Sequence, residues 1–86
     1  MTIPEAKARI FDRLCSQYHK DGEKNVYVEK DTVRKDKDIP EEVFDEALNE
    51  FVSDRHRIVR VEISTGRLRL ETRGLDYCQD KKNPYR

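Results

Sequence analysis

The apolar residues change their spacing once in the second half of the chain, and this change limits the folds that the chain can adopt. From Val43 to Val52 they come as a doublet every four residues, the spacing of a helix with one buried face. From Val59 to Leu70 they alternate with polar residues, the spacing of strands with one buried face. The two periods side by side predict a long helix that is followed by a pair of strands. The length of 86 residues allows one small domain.

A further amphipathic helix is predicted at the start of the chain. Thr2 is a suitable N-cap, with Pro4 in the first turn and Glu5 three residues after the cap. Gly22 suits the left-handed conformation in which many helices end. Between these signals the apolar residues recur at helical spacing, at Ile3, Ala6, Ile10, Phe11, Leu14, Cys15 and Tyr18.

The segment between the two helices carries weaker signals. The run from Asn25 to Val28 predicts a short edge strand. Residues 29–37 contain one apolar residue, Val33, and fit either a short solvated helix or an irregular link. Residues 38–41 repeat the helix-start signal of residues 2–5 almost letter for letter, so we expect the same capping chemistry to open the long helix, which runs from Pro40 to about Ser53.

The alternating run predicts a β-hairpin that turns at Ser64-Thr65-Gly66. A two-residue or a four-residue loop gives the same pairing, whereas a three-residue loop would place Ile63 against a polar residue. The expected pairs are Ile63 with Leu68, Val61 with Leu70, Glu62 with Arg69, and Arg60 with Glu71. This register joins apolar residues on the buried face and opposite charges on the solvated face.

The end of the chain predicts a short helix followed by a tail. Leu75, Tyr77 and Cys78, after Gly74, indicate a helix that docks on the first one. We expect a domain over residues 1–79 and a polar, frayed tail over residues 80–86.

The start of the chain and its apolar content predict the cellular compartment, and the compartment in turn predicts the state of the cysteines. Met1 precedes a charged helix, and no apolar run approaches the roughly 18 residues that span a membrane. We therefore expect a cytoplasmic protein without a membrane partner. In that compartment Cys15 and Cys78 are expected to be two reduced thiols that act as small apolar residues.

No catalytic or metal-binding set emerges from the sequence. His19 follows Cys15 at helical ligand spacing, but a metal site needs three or four ligands and neither Asp12 nor Ser16 completes one. His56 is expected to be exposed, and no nucleophile has a base at a useful spacing. We expect no enzyme activity and no cofactor.

The order of predicted elements, together with residues 70–77 (Leu-Glu-Thr-Arg-Gly-Leu-Asp-Tyr), resembles the winged helix-turn-helix family. In that family a leucine, threonine, glycine run commonly closes the wing and starts the last helix. The resemblance covers Ile3 to Cys78 and implies a small α+β fold with a three-helix core, a two-stranded wing with a short edge strand, and a short C-terminal helix. It also implies that residues 40–53 form the recognition helix, that residues 64–66 form the tip of the wing, and that the domain binds double-stranded DNA and regulates transcription.

The charges of the long helix depart from that family. Eighteen basic and eighteen acidic residues cancel in the chain as a whole, yet residues 40–54 contain no Lys or Arg. Carboxylates are repelled by DNA phosphates and offer no donors to guanine. The outward face therefore suits a basic protein surface or a second copy in a weak homodimer. The residues expected to form this partner face are Glu41, Glu42, Asp45, Glu46 and Asn49.

The basic residues gather instead in the hairpin, its flanks and the short second element. A wing-first mode of DNA binding would use these positions. The opposing interpretation is that Arg60 and Arg69 are already paired with Glu71 and Glu62 on an ordinary solvated face. The residues predicted to contact nucleic acid are Arg57, Arg67, Arg69, Arg73, Arg34 and Lys35.

Overall fold

The first helix, α1 (Ile3–Asp21), begins and ends where its capping residues predict. The side-chain oxygen of Thr2 accepts a hydrogen bond from the Glu5 N–H at 3.2 Å. Gly22 adopts a left-handed conformation with φ 67°, and its N–H donates to the Tyr18 carbonyl at 2.8 Å. The structure, a computed structural model, describes residues 1–22 and 26–86. The predicted strand residue Asn25 lies outside the described residues.

Three strands and three further helices follow in the described part of the chain. They are β1 (Tyr27–Glu29), α2 (Lys30–Asp36), α3 (Glu41–Ser53), β2 (Val59–Glu62), β3 (Arg67–Leu70) and α4 (Thr72–Gln79). The strands form one antiparallel sheet in the order β1-β3-β2. The molecule is therefore an α+β domain, and the segment that the sequence left open as a helix or a link is helical.

The start of α3 differs from the start of α1. Asp38, the counterpart of Thr2, adopts a positive φ of 50°, and Pro40 occupies the cap position without a side-chain hydrogen bond. The prediction of shared capping chemistry is therefore wrong. The reason is the preceding helix, because the Asp38 and Ile39 N–H groups donate to carbonyls in the last turn of α2, at 3.2 and 3.0 Å. Ile39 is buried by this tight connection.

The hairpin is paired two residues away from the predicted register. Val59 lies opposite Leu70, and Val61 lies opposite Leu68. A slip of two residues keeps every side chain on the same face of the sheet, so the alternating pattern fits both registers equally well. The predicted register is wrong in all four pairs.

The turn explains the observed register. Residues 63–66 form a four-residue loop in which Gly66 has φ 68° and donates to the Glu62 carbonyl at 2.9 Å. The Gly66 carbonyl accepts from the Lys30 N–H at 2.8 Å, which ties the loop to the start of α2. Ile63 consequently leaves the sheet and is 83% exposed, although the sequence predicts that it is buried.

The core lies between α1, α3 and one face of the sheet. Its largest fully buried side chains are Phe11, Phe44, Ile10, Leu14, Leu68, Val33 and Cys78. No charged or polar residue is buried in the described part of the chain. The stability of the domain therefore depends mainly on apolar burial.

Helix α4 docks on α1, as predicted, but it begins before Gly74 rather than after it. A Cβ at Gly74 would lie 2.5 Å from the carbonyl oxygen of Ile58, so this close approach requires glycine. Docking brings Cys15 and Cys78 together, with their Cα atoms 5.5 Å apart, and the two form a disulfide across 63 residues of sequence. The prediction of two reduced thiols is wrong, because the spacing of residues along the chain does not reveal which helices pack together.

The C-terminal tail is packed, although its composition predicts that it is frayed. Asn83 donates from Nδ2 to the Ala8 carbonyl and to Asp12 Oδ1, both at 2.9 Å. The Tyr85 ring meets Phe11 and Phe51 edge to face, with centroids 6.0 and 5.4 Å apart. Burial, followed by the nearby charges of Asp54 and Tyr77, raises the pKa of the Tyr85 phenol. The tail therefore packs against α1 and α3, which its polar composition did not predict.

Candidate functional site

The predicted wing arginines are held by partners within the chain. Arg67 Nε lies 3.4 Å from Glu29 Oε1, and its guanidinium carbon lies 4.2 Å from the centroid of the Tyr27 ring. Arg69 forms an ion pair with Glu62 and lies 5.6 Å from the same ring. Both guanidinium groups already have a carboxylate and an aromatic face. A phosphate would have to compete with these contacts.

Of the two ion pairs expected on the outer face of the hairpin, one forms, although the register that predicted them is wrong. Glu62 does pair with Arg69, although diagonally, because Arg67 occupies the position directly opposite Glu62. Arg60 does not pair with Glu71. It lies directly opposite Arg69, which places like charges across the strands, and it forms no ion pair with any described residue. Like charges at this position are unfavourable.

A second group of arginines lies at the opposite end of the hairpin. Arg55, Arg57 and Arg73 line an open cleft of about 330 Å³, and we call these three residues the hairpin-base cluster. His56, Glu71 and Thr72 complete the lining. All three arginines are exposed, and none forms an ion pair among residues 1–22 and 26–86.

Local backbone structure positions this cluster. Asp54 Oδ1 accepts a hydrogen bond from the His56 N–H at 2.9 Å, which forms a tight turn directly after α3. Arg57 follows with a positive φ of 51°, and the chain then enters β2. Arg73 comes from the first turn of α4. The loop after α3 and the start of α4 therefore bring together residues that are far apart in the sequence.

The two predicted basic residues of the second element stand apart from this cluster. Arg34 and Lys35 lie in the last turn of α2, which packs against α1 and β1. Neither residue lines the cleft at the hairpin base. The structure therefore divides the predicted nucleic-acid residues among α2, the sheet and the hairpin base.

The predicted partner face of α3 is solvent-exposed along its whole length. All five of its predicted residues, Glu41, Glu42, Asp45, Glu46 and Asn49, are exposed, and none of the carboxylates forms an ion pair with a described residue. Glu50, on the neighbouring side of the helix, pairs with Lys7 at 3.0 Å.

An apolar surface between α3 and the hairpin was missed by sequence reasoning. Val52 is 57% exposed and Ile63 is 83% exposed. With Val61 they line two clefts, of about 290 and 390 Å³, that share these three residues. Each residue belongs to an apolar pattern that predicts burial, so the sequence carries no signal for their exposure.

Metal binding and membrane insertion find no support in the described residues. Within them, no three His, Cys, Asp or Glu side chains gather in a way that could hold a metal ion. The disulfide also removes Cys15 as a ligand beside His19. None of the described helices is both long and apolar enough to cross a bilayer.

No known protein family, curated protein or solved structure matches this chain.

Proposed function

We propose that the chain is a non-enzymatic winged-helix module that binds double-stranded DNA through the hairpin-base cluster and acts in transcription regulation. The observation that carries this proposal is the cleft lined by Arg55, Arg57 and Arg73, whose guanidinium groups are exposed and have no carboxylate partner among the described residues. Three exposed guanidinium groups around one concave surface suit the phosphate backbone of a nucleic acid.

The arrangement of elements supports the winged-helix part of the proposal. A helix, a short strand, two helices and a hairpin follow each other in the expected order, and β1 adds to the hairpin through β3. In such a module α3 would be the recognition helix. Its exposed carboxylates make insertion into the major groove unfavourable, so we place the contact on the hairpin side of the domain.

The structure changes which arginines we expect to contribute most. Arg67 and Arg69 would have to leave Glu29 and Glu62 to reach a phosphate, whereas the hairpin-base cluster has no ion pair with a described residue to lose. Each phosphate contact by a free arginine releases counterions, so the affinity should fall steeply with salt. We therefore expect the largest contributions to DNA binding from Arg57, Arg73 and the additional residue Arg55. Arg67 and Arg69 should contribute less, and Arg34 and Lys35 least.

The experiment is a titration with mixed-sequence duplex DNA at low and at moderate salt, followed by amide chemical shifts and by fluorescence anisotropy. Changing Arg55, Arg57 or Arg73 to Ala should each weaken binding and flatten the salt slope by about one unit. Arg67→Ala should have a smaller effect. Arg9→Ala is a matched control, because Arg9 pairs with Glu5 on α1 at 3.0 Å and lines no part of the cleft. The proposal fails if the duplex does not bind at low salt, or if the three cluster variants keep the wild-type slope.

A second candidate function is recognition of a basic protein surface by α3. The carboxylates of the predicted partner face favour it, because they are exposed and form no ion pair within the described chain, and complementary charge accelerates encounter and fixes orientation. An oligolysine peptide is a simple probe, and its amide shifts should map to residues 41–49. Reversing Glu42 and Glu46 to Lys should abolish those shifts while the helical signal of the fold is retained. Reversing the exposed Asp76 on α4 is the control.

The compartment remains part of the proposal. A DNA-binding role is consistent with the expected cytoplasmic location. The Cys15–Cys78 disulfide is more typical of oxidising compartments, although intracellular proteins of hyperthermophiles also contain such bonds. A thiol count on protein extracted under rapid alkylation tests the location, because two free thiols would indicate a reducing compartment.

A further inference from the structure

Strand β2 lies at the edge of the sheet. The order β1-β3-β2 leaves no strand of the described chain on its outer side. An edge strand presents backbone N–H and C=O groups that can pair with a further strand. Beside β2 runs the open cleft of about 390 Å³ whose lining includes Val59, Arg60 and Val61.

The sequence of this strand is complementary to itself. It reads Val59-Arg60-Val61-Glu62, followed by Ile63 at the start of the turn. In an antiparallel pair centred on Val61, Arg60 of one copy lies opposite Glu62 of the other, and the reverse pair forms as well. Val61 then lies opposite its own counterpart, and Val59 comes level with Ile63, the first residue of the turn beyond the strand. Every pair in this register is either apolar or of opposite charge, which favours pairing.

Three features of the single chain remain unexplained without a second copy. Arg60 is exposed, lies opposite Arg69 and has no ion-pair partner among the described residues. Ile63 and Val52 are apolar side chains exposed beside the same cleft. A second β2 would supply its Glu62 to Arg60, a carboxylate that this second copy would share with its own Arg69, and would cover part of this apolar surface.

We propose that the chain associates with a second copy of itself through the outer edge of β2. The two strands pair antiparallel about a two-fold axis at Val61, so that the two three-stranded sheets become one. Such an interface is isologous, because the same surface serves both partners. Since the strand has only four residues, the homodimer is weak, and its exposed charge pairs make it sensitive to salt. This proposal goes beyond the proposed DNA binding and does not depend on it.

The experiment measures self-association by sedimentation equilibrium and by amide shifts over a range of concentrations up to about 1 mM. Wild-type protein should dimerise, with shifts concentrated in residues 59–63. Arg60→Glu places carboxylates opposite each other across the axis, and Glu62→Arg places guanidinium groups there. Each single variant should weaken the dimer at least about tenfold.

Mixing the two single variants provides the decisive measurement. In the mixed pair every charge on one strand meets the opposite charge on the other, so the mixture should form a heterodimer more strongly than either variant forms a homodimer. Arg55→Glu is the matched control, since Arg55 is exposed but lines no part of the β2 cleft, and it should dimerise like the wild type. Circular dichroism checks that each variant is folded.

Three results would overturn the proposal. They are a wild-type protein that stays monomeric up to about 1 mM, single variants that associate as strongly as the wild type, and a mixture that associates no better than its components. A variant of Arg73 distinguishes failure of this proposal from failure of the proposed DNA binding, because Arg73 lines the hairpin-base cleft but not the β2 cleft. Arg73→Ala should weaken DNA binding and leave self-association unchanged.

Discussion

The side of the molecule formed by α1, α4 and the tail differs sharply from the side formed by α3 and the hairpin. On the first side, a disulfide joins the two helices, and Asn83 and Arg86 bond to Asp12 on α1. On the second side, Arg57 has no partner among the described residues, Val52 is exposed, and β2 is an open edge. The first side therefore carries the contacts that maintain the fold, and the second side carries the surfaces on which the two proposals depend.

Breaking the disulfide should have the largest effect on stability. Reduction, or the double change of Cys15 and Cys78 to Ala, should lower the free energy of unfolding by about 4 kcal/mol, because a bond that closes a long loop restricts the unfolded chain strongly. The 63-residue separation supplies that loop. Urea unfolding with and without reductant measures the loss. The double variant is the control, since reductant should leave it unchanged, and a loss below about 1 kcal/mol would remove the main distinction between the two sides.

Removing the Tyr85 ring should have the second largest effect. Tyr85→Ala should cost about 2–3 kcal/mol, because the ring packs edge to face on Phe11 and Phe51 and is only partly buried. Tyr85→Phe should stay within about 0.5 kcal/mol of the wild type, since the buried hydroxyl has no hydrogen-bond partner among the described residues. Thermal and urea unfolding provide the measurement. Equal losses in both variants would mean that the hydroxyl, not the ring, anchors the tail.

Substitutions on the second side should have the smallest effect on stability. Val52→Ser and Arg57→Ala should each change the free energy of unfolding by less than about 0.5 kcal/mol, because neither side chain is buried. The same urea experiment tests them beside the Tyr85 variants. A loss above about 1 kcal/mol in either variant would show that this surface also maintains the fold, and it would weaken the inference that its exposed groups serve partners.

Much of the local structure could be predicted because its signals lie within a few residues of each other. Thr2 and Gly22 mark both ends of α1, and the four-residue period marks α3. The same reasoning failed at Asp38, where hydrogen bonds back to α2 replaced the expected cap. The capping signal at Thr2 is therefore confirmed, whereas the same signal at Asp38 is wrong because α2 ends only two residues earlier.

The candidate site was predictable only as a set of charges. The absence of Lys and Arg from residues 40–54 correctly indicated an acidic exposed face on α3. The arginines could be located in the hairpin and its flanks, but their partners could not. Glu29 lies 38 residues before Arg67, and only the pairing of β1 with β3 brings the two together.

The sequence by itself determined α1, α3 and α4, the existence of the hairpin and the separation of acidic from basic segments, since periodicity, capping and charge are properties of neighbouring residues. It left α2 open as a helix or a link. Tertiary structure alone decided the hairpin register, the Cys15–Cys78 bond, the docking of the tail and the division of arginines into paired and free. A two-residue slip keeps the same faces buried, so only the turn at Gly66 and its bond to Lys30 could select the register. The other features depend on distances between elements, and those distances arise only when the elements pack.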